Sequence, residues 1–141
     1  MATLRMEREI DCSQERAASS IYAALGVRGS SEVTKTFRVG AIGRDVRLTL
    51  GDLDRKSDLW RIPVSWQVPE SDAFPIFHGF FEVQRRPDDR IAVVLLGYYQ
   101  PPFGAAGAVF DAFVGRWIAN VTVSQMLDEI EATIHRDGSA S

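Results

Sequence analysis

The sequence contains a single cysteine, Cys12, among its 141 residues. One cysteine cannot form an internal disulfide, and it excludes the cysteine-rich zinc sites of small metalloproteins. The sequence also lacks the metal-binding spacing His-Glu-x-x-His and the nucleophile elbow Gly-x-Ser-x-Gly. We therefore expect neither a bound metal nor a cofactor, and we interpret Cys12 as structural.

An excess of positive charge is absent as well. The 16 basic and 19 acidic residues give a net charge of -3, and the basic residues are scattered along the chain. This distribution excludes the electrostatic footprint of a nucleic-acid-binding protein. No apolar run approaches the roughly 20 residues of a membrane-spanning helix, and the N-terminus has no signal-peptide core. We expect a cytoplasmic protein with no nucleic-acid partner and no integral membrane segment.

The composition suits one globular domain. Hydrophobic residues make up 45% and charged residues 25% of the chain, which is ordinary for a soluble domain of this length. No internal repeat or interdomain linker interrupts it. We predict a single domain over 1–141, with a frayed tail at 137–141.

Most of the chain alternates between apolar and polar residues, as strands with one wet face do. Residues 4–10 form the first such segment, and a short helix is predicted between Ser13 and Gly26 because apolar residues there recur at helical spacing. Residues 33–39 and 46–50 predict a hairpin, and further strands are expected over 60–68, 77–84 and 91–99. Pro63 indicates an edge position or a bulge, and the polar residues 51–58 indicate a loop.

The last part of the chain has a different pattern. A nearly continuous apolar run, residues 91–99, predicts a strand that is central in its sheet or covered on both faces. Pro101 and Pro102 end that run, and Gly107 closes a small-residue turn. One amphipathic stretch over 108–135 then predicts a long helix that buries its apolar stripe against the sheet.

This order of elements resembles the START-like superfamily, also called SRPBCC, whose members have the helix-grip fold. The stretches that carry the resemblance are Gly97-Tyr-Tyr-Gln-Pro-Pro-Phe-Gly-Ala-Ala-Gly107, Phe110-Asp-Ala-Phe113, Val121-Thr-Val-Ser-Gln-Met-Leu127 and, at the start, Glu9-Ile-Asp-Cys-Ser-Gln-Glu-Arg-Ala-Ala-Ser-Ser-Ile-Tyr-Ala-Ala-Leu25. They are similar to small bacterial members described as polyketide cyclase/dehydrase-like.

The resemblance implies an α+β fold in which a curved antiparallel sheet of about six or seven strands wraps around one long C-terminal helix, with a short helical segment after the first strand. It also implies a cavity between sheet and helix for an apolar or amphipathic small molecule. Aromatic rings on the apolar sides of the strands and of the helix are the candidates to line that cavity, and the alternative for each of them is that it simply fills the core. They are Trp60, Trp66, Phe77, Phe81, Tyr99, Phe110, Phe113 and Trp117.

Four polar side chains are candidates for chemistry in such a cavity. His78 could act as a general base, because histidine is the residue type most often used for proton transfer, although strict alternation places it on the solvent side of its strand. Arg8 lies in an apolar register, so it requires an anion from a ligand or from the protein, or its head must reach water. Tyr99 and Glu82 complete the set, and no catalytic motif of the family aligns with any of them.

The sequence leaves three functions open. The first is a binding protein for a hydrophobic or amphipathic small molecule, such as a lipid, a polyketide or an isoprenoid. The second is an enzyme of the cyclase or dehydratase type that uses the same cavity. The third is a protein-interaction module, or a domain that forms a homodimer through a sheet edge.

Overall fold

The computed structural model describes residues 2–26, 31–39, 42–56, 58–67, 76–88, 90–100, 121 and 123–136. Its strands are β1 (Ala2–Ile10), β2 (Ser31–Val39), β3 (Ile42–Leu50), β4 (Asp54–Lys56), β5 (Leu59–Gln67), β6 (Ile76–Arg85) and β7 (Ile91–Gln100), and helix α1 (Gln14–Ala24) lies between β1 and β2. Residues 123–136 are helical and are called the C-terminal helix below.

The strands form one antiparallel sheet in the order β1-β7-β6-β5-β3-β2, with β4 paired to β5 outside this path. The final strand β7 therefore lies between the first strand and β6, as its apolar sequence predicts, and Ile91 to Leu95 are buried. The chain has the α+β architecture expected from the sequence, with a short helix after the first strand and a helix at the C-terminal end.

Helix α1 forms where its spacing predicts it. The Ser13 hydroxyl accepts a hydrogen bond from the backbone N–H of Arg16, at 3.2 Å, and so satisfies one of the free donors of the first turn. The helix ends before Gly26, whose positive φ of 73° is a conformation that favours glycine. Ala17 and Ile21 are fully buried, because their spacing puts them on the face turned toward the sheet.

The partners of β5 change in the middle of the strand. Residues 64–67 pair with β3, whereas residues 59–61 pair with β4. Three residues, 51–53, therefore stand opposite Ile62 and Pro63, which is the count of a bulge. The N–H of Gly51 donates to the carbonyl of Pro63 at 2.8 Å. Of the two positions predicted for Pro63, an edge strand is wrong, because β5 is paired on both sides, and the count of residues agrees with a bulge.

Strand β4 differs from the sequence prediction, which made residues 51–58 a loop. All three of its residues are exposed. A strand without a buried face has no alternation of apolar and polar residues, so its sequence looks like that of a loop.

The core lies on one face of the sheet, called the inner face below. The core consists of alternate residues of β1, β3, β5, β6 and β7, the apolar side of α1 and the buried side of the C-terminal helix. From the C-terminal helix it takes Val123, Met126, Leu127, Ile130 and Ile134, each at most 2% exposed. The opposite, outer face carries the intervening residues.

Candidate functional site

Five of the eight aromatic side chains that were predicted from the sequence to contact a ligand are described, and these five lie on the inner face. Trp66 stacks on Phe77, with ring centroids 4.1 Å apart and planes 13° apart, and both rings are buried. Phe81 and Tyr99 are buried in the same cluster, and Trp60 packs against it half-buried. These five side chains are thus brought together in the core.

The other three nominated rings lie outside the described residues. Phe110, Phe113 and Trp117 belong to the first part of the predicted long helix, of which the structure describes residues 121 and 123–136. The cavity between sheet and helix therefore stays a prediction.

Arg8 faces inward, and its partners are supplied by the protein. Its terminal nitrogen Nη2 donates to Asp128 Oδ1 at 3.0 Å and to Ser124 Oγ at 3.3 Å, and its Nε lies 3.9 Å from Glu131 Oε2. All three partners are on the C-terminal helix. Arg8 therefore ties β1 to that helix, and its side chain remains 31% exposed.

A hollow of about 850 Å³ lies on the outer face of the sheet. Its described lining comes from β1, β7, β6, β5 and β3, together with Gly51 at the end of β3. None of the five described aromatic nominees is among these lining residues.

Five of the lining side chains form one row across five neighbouring strands. Each residue stands directly opposite the next in the sheet, so their side chains share the outer face. At about 4.8 Å between strands, the row spans on the order of 19 Å. We call it the hydroxyl row because all of its members except His78 carry a hydroxyl group, and it consists of Thr3, Tyr98, His78, Ser65 and Thr49.

A second row runs parallel to the first. On each strand its residue is two positions away from the residue of the first row, which is a distance of about 7 Å. Its middle is apolar, with Leu96, Phe80 and Pro63 side by side on β7, β6 and β5. We call these three residues the apolar row. Arg5 stands opposite Leu96 at one end, and Gly51 meets Pro63 at the other.

Two glycines separate the rows where β6 and β7 meet. Gly79 and Gly97 face each other, and both line the hollow. A Cβ atom on Gly79 would lie 2.1 Å from the carbonyl oxygen of Leu96 and 2.8 Å from the Phe77 ring. The two strands and the Phe77 ring fill the inner side of this pair, so only glycine fits there.

An ion-pair cluster borders the apolar row on its other side. The Glu82 carboxylate is almost fully buried and accepts from Arg61 Nε at 2.8 Å and from Gln84 Nε2 at 2.9 Å. The Arg61 guanidinium lies 5.3 Å from the centroid of the Phe80 ring. This contact holds Arg61 at the edge of the hollow, where it is one of the lining residues.

The four catalytic candidates are divided between the two faces. Arg8 and Tyr99 lie on the inner face, whereas His78 and Glu82 lie on the outer face. His78 is exposed, as strict alternation predicts, and its pairing with Ser65 and Tyr98 continues through Gly79 without a bulge. Of the four, only His78 lines the hollow within the described residues.

Two of the described side chains, Cys12 and Tyr22, have a raised pKa. Burial raises the pKa of the Cys12 thiol, and the nearby Asp11 adds to the effect while Arg16 opposes it. Burial also raises the pKa of Tyr22, with a smaller contribution from Asp52. Both groups are therefore held in their neutral forms, and the Tyr22 hydroxyl donates to the Gly51 carbonyl at 2.8 Å.

Four residues that line the hollow were not among the site residues predicted from the sequence, namely Tyr98, Phe80, Arg5 and Arg61. The sequence did contain a sign that Phe80 is functional. Alternation places its aromatic ring on the same, polar side of β6 as Glu82 and Gln84, where an apolar ring is not needed for the core. That ring is 39% exposed, and Tyr98 is 56% exposed.

Within the part of the chain that the structure describes, no helix has the length and hydropathy to cross a membrane. No group of three or more His, Cys, Asp or Glu side chains among the described residues is placed to hold a metal ion.

The chain is similar in fold to several solved structures. It aligns with TTHA0849 from Thermus thermophilus at a TM-score of 0.53 and 16% identity, over 96% of this chain and 99% of that one. Hypothetical protein jhp0584 from Helicobacter pylori gives 0.57 and 10%, over 93% and 86%, and a conserved protein from Geobacillus kaustophilus gives 0.58 and 10%, over 96% of both chains.

At these identities the likeness concerns the fold alone. It agrees with an antiparallel sheet that carries a C-terminal helix. No protein-family model matches the chain, and no curated protein matches it.

Proposed function

We propose that this chain is a START-like protein that binds a hydrophobic or amphipathic small molecule, and that the hollow on the outer face is a binding site for it. The observation that carries the proposal is the hollow itself. Its volume of about 850 Å³ falls within the roughly 300–1,000 Å³ that is usual for small-molecule sites.

The arrangement of the lining favours an amphipathic ligand. The apolar row offers a ring, a branched side chain and a proline to an apolar surface, and the hydroxyl row offers donors and acceptors about 7 Å away. A ligand lying across the strands would cover the apolar row while its oxygen atoms meet the hydroxyl row. Covering Phe80 and Leu96 would contribute affinity at about 25 cal/mol per Å² of buried apolar surface.

A second function is favoured by one observation. Ile76, Phe80 and Tyr98 are large, exposed and on the same face of β6 and β7, as in a protein-interaction surface. The apolar row lies between the hydroxyl row and the Arg61–Glu82 ion pair, and the Val94 side chain beside it on β7 is fully buried. A narrow exposed apolar strip fits a small molecule better than the broad apolar centre of a protein interface.

An enzymatic function would rely on His78, the acid–base group in the described lining. No carboxylate is among the described lining residues to orient its imidazole, as the third member of a catalytic triad does. The cyclase or dehydratase hypothesis from the sequence therefore has less support than binding.

The proposal is tested with a fluorescent neutral ligand, N-phenylnaphthylamine, titrated into the wild type and two variants. We expect Phe80→Ala to weaken binding about tenfold, because an aromatic contact in the centre of the hollow is lost. Ile76→Ala is the matched control, since Ile76 is on the same strand and face and is 37% exposed but does not line the hollow. Equal effects of the two substitutions would contradict binding in the hollow.

The same proteins distinguish the second function. Sedimentation velocity over a wide concentration range should show one species for the wild type. Self-association that Ile76→Ala and Phe80→Ala both abolish would support an interaction surface instead.

A further inference from the structure

The charges around the hollow are unequal. Two cationic side chains, Arg5 and Arg61, line it, and no carboxylate does so among the residues that the structure describes. The two cations stand at different ends of the apolar row. Arg5 lies on β1 opposite Leu96, and Arg61 lies on β5 two residues before Pro63.

Arg61 is matched by a carboxylate of its own. Its Nε donates to Glu82 Oε2 at 2.8 Å, and the Glu82 side chain is only 7% exposed. A short contact with a buried carboxylate keeps the guanidinium in place and balances its charge.

Arg5 is not matched in this way. The Glu7 oxygen Oε2 accepts from Arg86 Nη2 at 2.8 Å and from Arg5 Nη2 at 3.3 Å. Two guanidiniums thus share one carboxylate, and Arg5 makes the longer of the two contacts. The Arg5 side chain is 56% exposed, so this pair contributes little to stability and can be exchanged at small cost.

The position of Arg5 sets the size of the ligand that it can reach. Strand β6 lies two strands from β1, so the backbones of Phe80 and Arg5 are about 10 Å apart. A molecule whose rings rest on Phe80 and Leu96 brings a substituent on its β1 side within the range of the Arg5 side chain.

We propose that the hollow selects amphipathic anions, that is, apolar or aromatic molecules with a carboxylate, sulfonate or phosphate group, and that Arg5 binds the anionic group. This inference rests on the proposed binding function and specifies its ligand class. The apolar row provides contact area. The positive charge of Arg5 at its end, which has only a share of the Glu7 carboxylate, provides the preference for a negative group.

The test uses two probes that share one ring system. Anilinonaphthalene sulfonate carries a sulfonate, whereas N-phenylnaphthylamine has the same rings without a charge. Both are titrated by fluorescence into the wild type, Arg5→Gln and Arg90→Gln. Arg90 is the matched control, because it is 53% exposed, makes a 3.6 Å ion pair with Glu9 and does not line the hollow.

We expect Arg5→Gln to weaken binding of the sulfonate probe about fivefold and to leave the neutral probe unchanged, since one charge-assisted contact is lost. Arg90→Gln should change neither. Arg5 is chosen over Arg61 because Glu7 keeps Arg86 as its partner, whereas the buried Glu82 would lose its cation and keep only the neutral Gln84 amide.

The outcomes separate this inference from the proposed function. If Phe80→Ala weakens both probes but Arg5→Gln weakens neither, or weakens both equally, the assignment of Arg5 to an anion is wrong and the hollow remains a binding site. If Phe80→Ala affects neither probe more than Ile76→Ala does, both proposals are wrong.

Discussion

Gly79 and Gly97 show how closely single residues constrain this sheet. They face each other across β6 and β7, and the Phe77 ring lies within 2.8 Å of the position that a Cβ would take on either one. An aromatic ring packed over a glycine pair covers the backbone that the missing side chains expose. The two strands can therefore approach closely between the hydroxyl row and the apolar row.

Replacing Gly79 by alanine should lower the free energy of unfolding by about 2–4 kcal/mol, because the new methyl group meets backbone atoms that cannot move aside. Urea denaturation followed by circular dichroism measures this. Gly51→Ala is the comparison, since a Cβ there would meet the Pro63 ring at 3.0 Å or more, and its cost should be smaller. A Gly79→Ala protein as stable as the wild type would show that β6 and β7 are further apart.

At the scale of elements, the connections between α1 and the sheet are specific. Gln14 begins the helix and is buried, and its side-chain amide donates to the Asp58 carbonyl at 2.9 Å and to the Val83 carbonyl at 3.2 Å. Arg55 of β4 pairs with Glu15 at 3.0 Å. The first turn of α1 thus contacts the end of the sheet where β4, β5 and β6 meet. The stability of the protein should therefore depend on the geometry of that turn.

Ser13→Ala should cost about 1 kcal/mol of stability, because the N–H of Arg16 loses its side-chain acceptor. Ser19→Ala is the matched control within the same helix. Ser19 is exposed in α1, where alanine is the better helix former, so that variant should be as stable as the wild type or slightly more. Thermal unfolding of the two variants compares them directly, and equal melting temperatures would argue against the cap.

At the scale of the whole molecule, the sheet separates stability from the proposed binding. The inner face buries its aromatic rings between the sheet and the helices, whereas the outer face keeps large side chains exposed over the hollow. Phe80 and Phe81 are neighbours in sequence and lie on opposite faces of β6, with exposed fractions of 39% and 0%. They allow both roles to be tested with one kind of substitution.

Phe81→Ala should lower the free energy of unfolding by about 3–5 kcal/mol, since a fully buried ring leaves a cavity. Phe80→Ala should lower it by less than about 1 kcal/mol, because its ring is partly in water already. Denaturation of both variants, set beside their titrations with N-phenylnaphthylamine, would show loss of stability in one and loss of binding in the other. A large stability loss in Phe80→Ala would mean that its ring is structural.

Features with a local physical cause were predictable from the sequence. The cap at Ser13, the end of α1 at Gly26 and the bulge at Pro63 each follow from the chemistry of one residue and its neighbours. Alternation likewise assigned His78 to the outer face and Phe77 and Phe81 to the inner one. Strand β4 escaped prediction because all its residues are exposed, so no apolar residue marks a buried side.

The role of Arg8 illustrates what remained open. From its register, Arg8 required an anion from a ligand or from the protein, or contact of its head with water. Its partners Ser124 and Asp128 are more than a hundred residues away along the chain. Only the packing of the C-terminal helix on β1 decided among these alternatives.

The amino-acid sequence by itself determined the α+β class, the position of the short helix and the faces of the residues in the strands that have a buried side, because these depend on neighbours a few positions apart. The tertiary structure alone decided which outward residues become neighbours. Thr3 and Thr49 belong to one row only because β7, β6 and β5 lie between β1 and β3, and pairing between distant strands leaves no trace in local periodicity. The hollow, its two rows and the position of Arg5 at the end of the apolar row are products of that strand order.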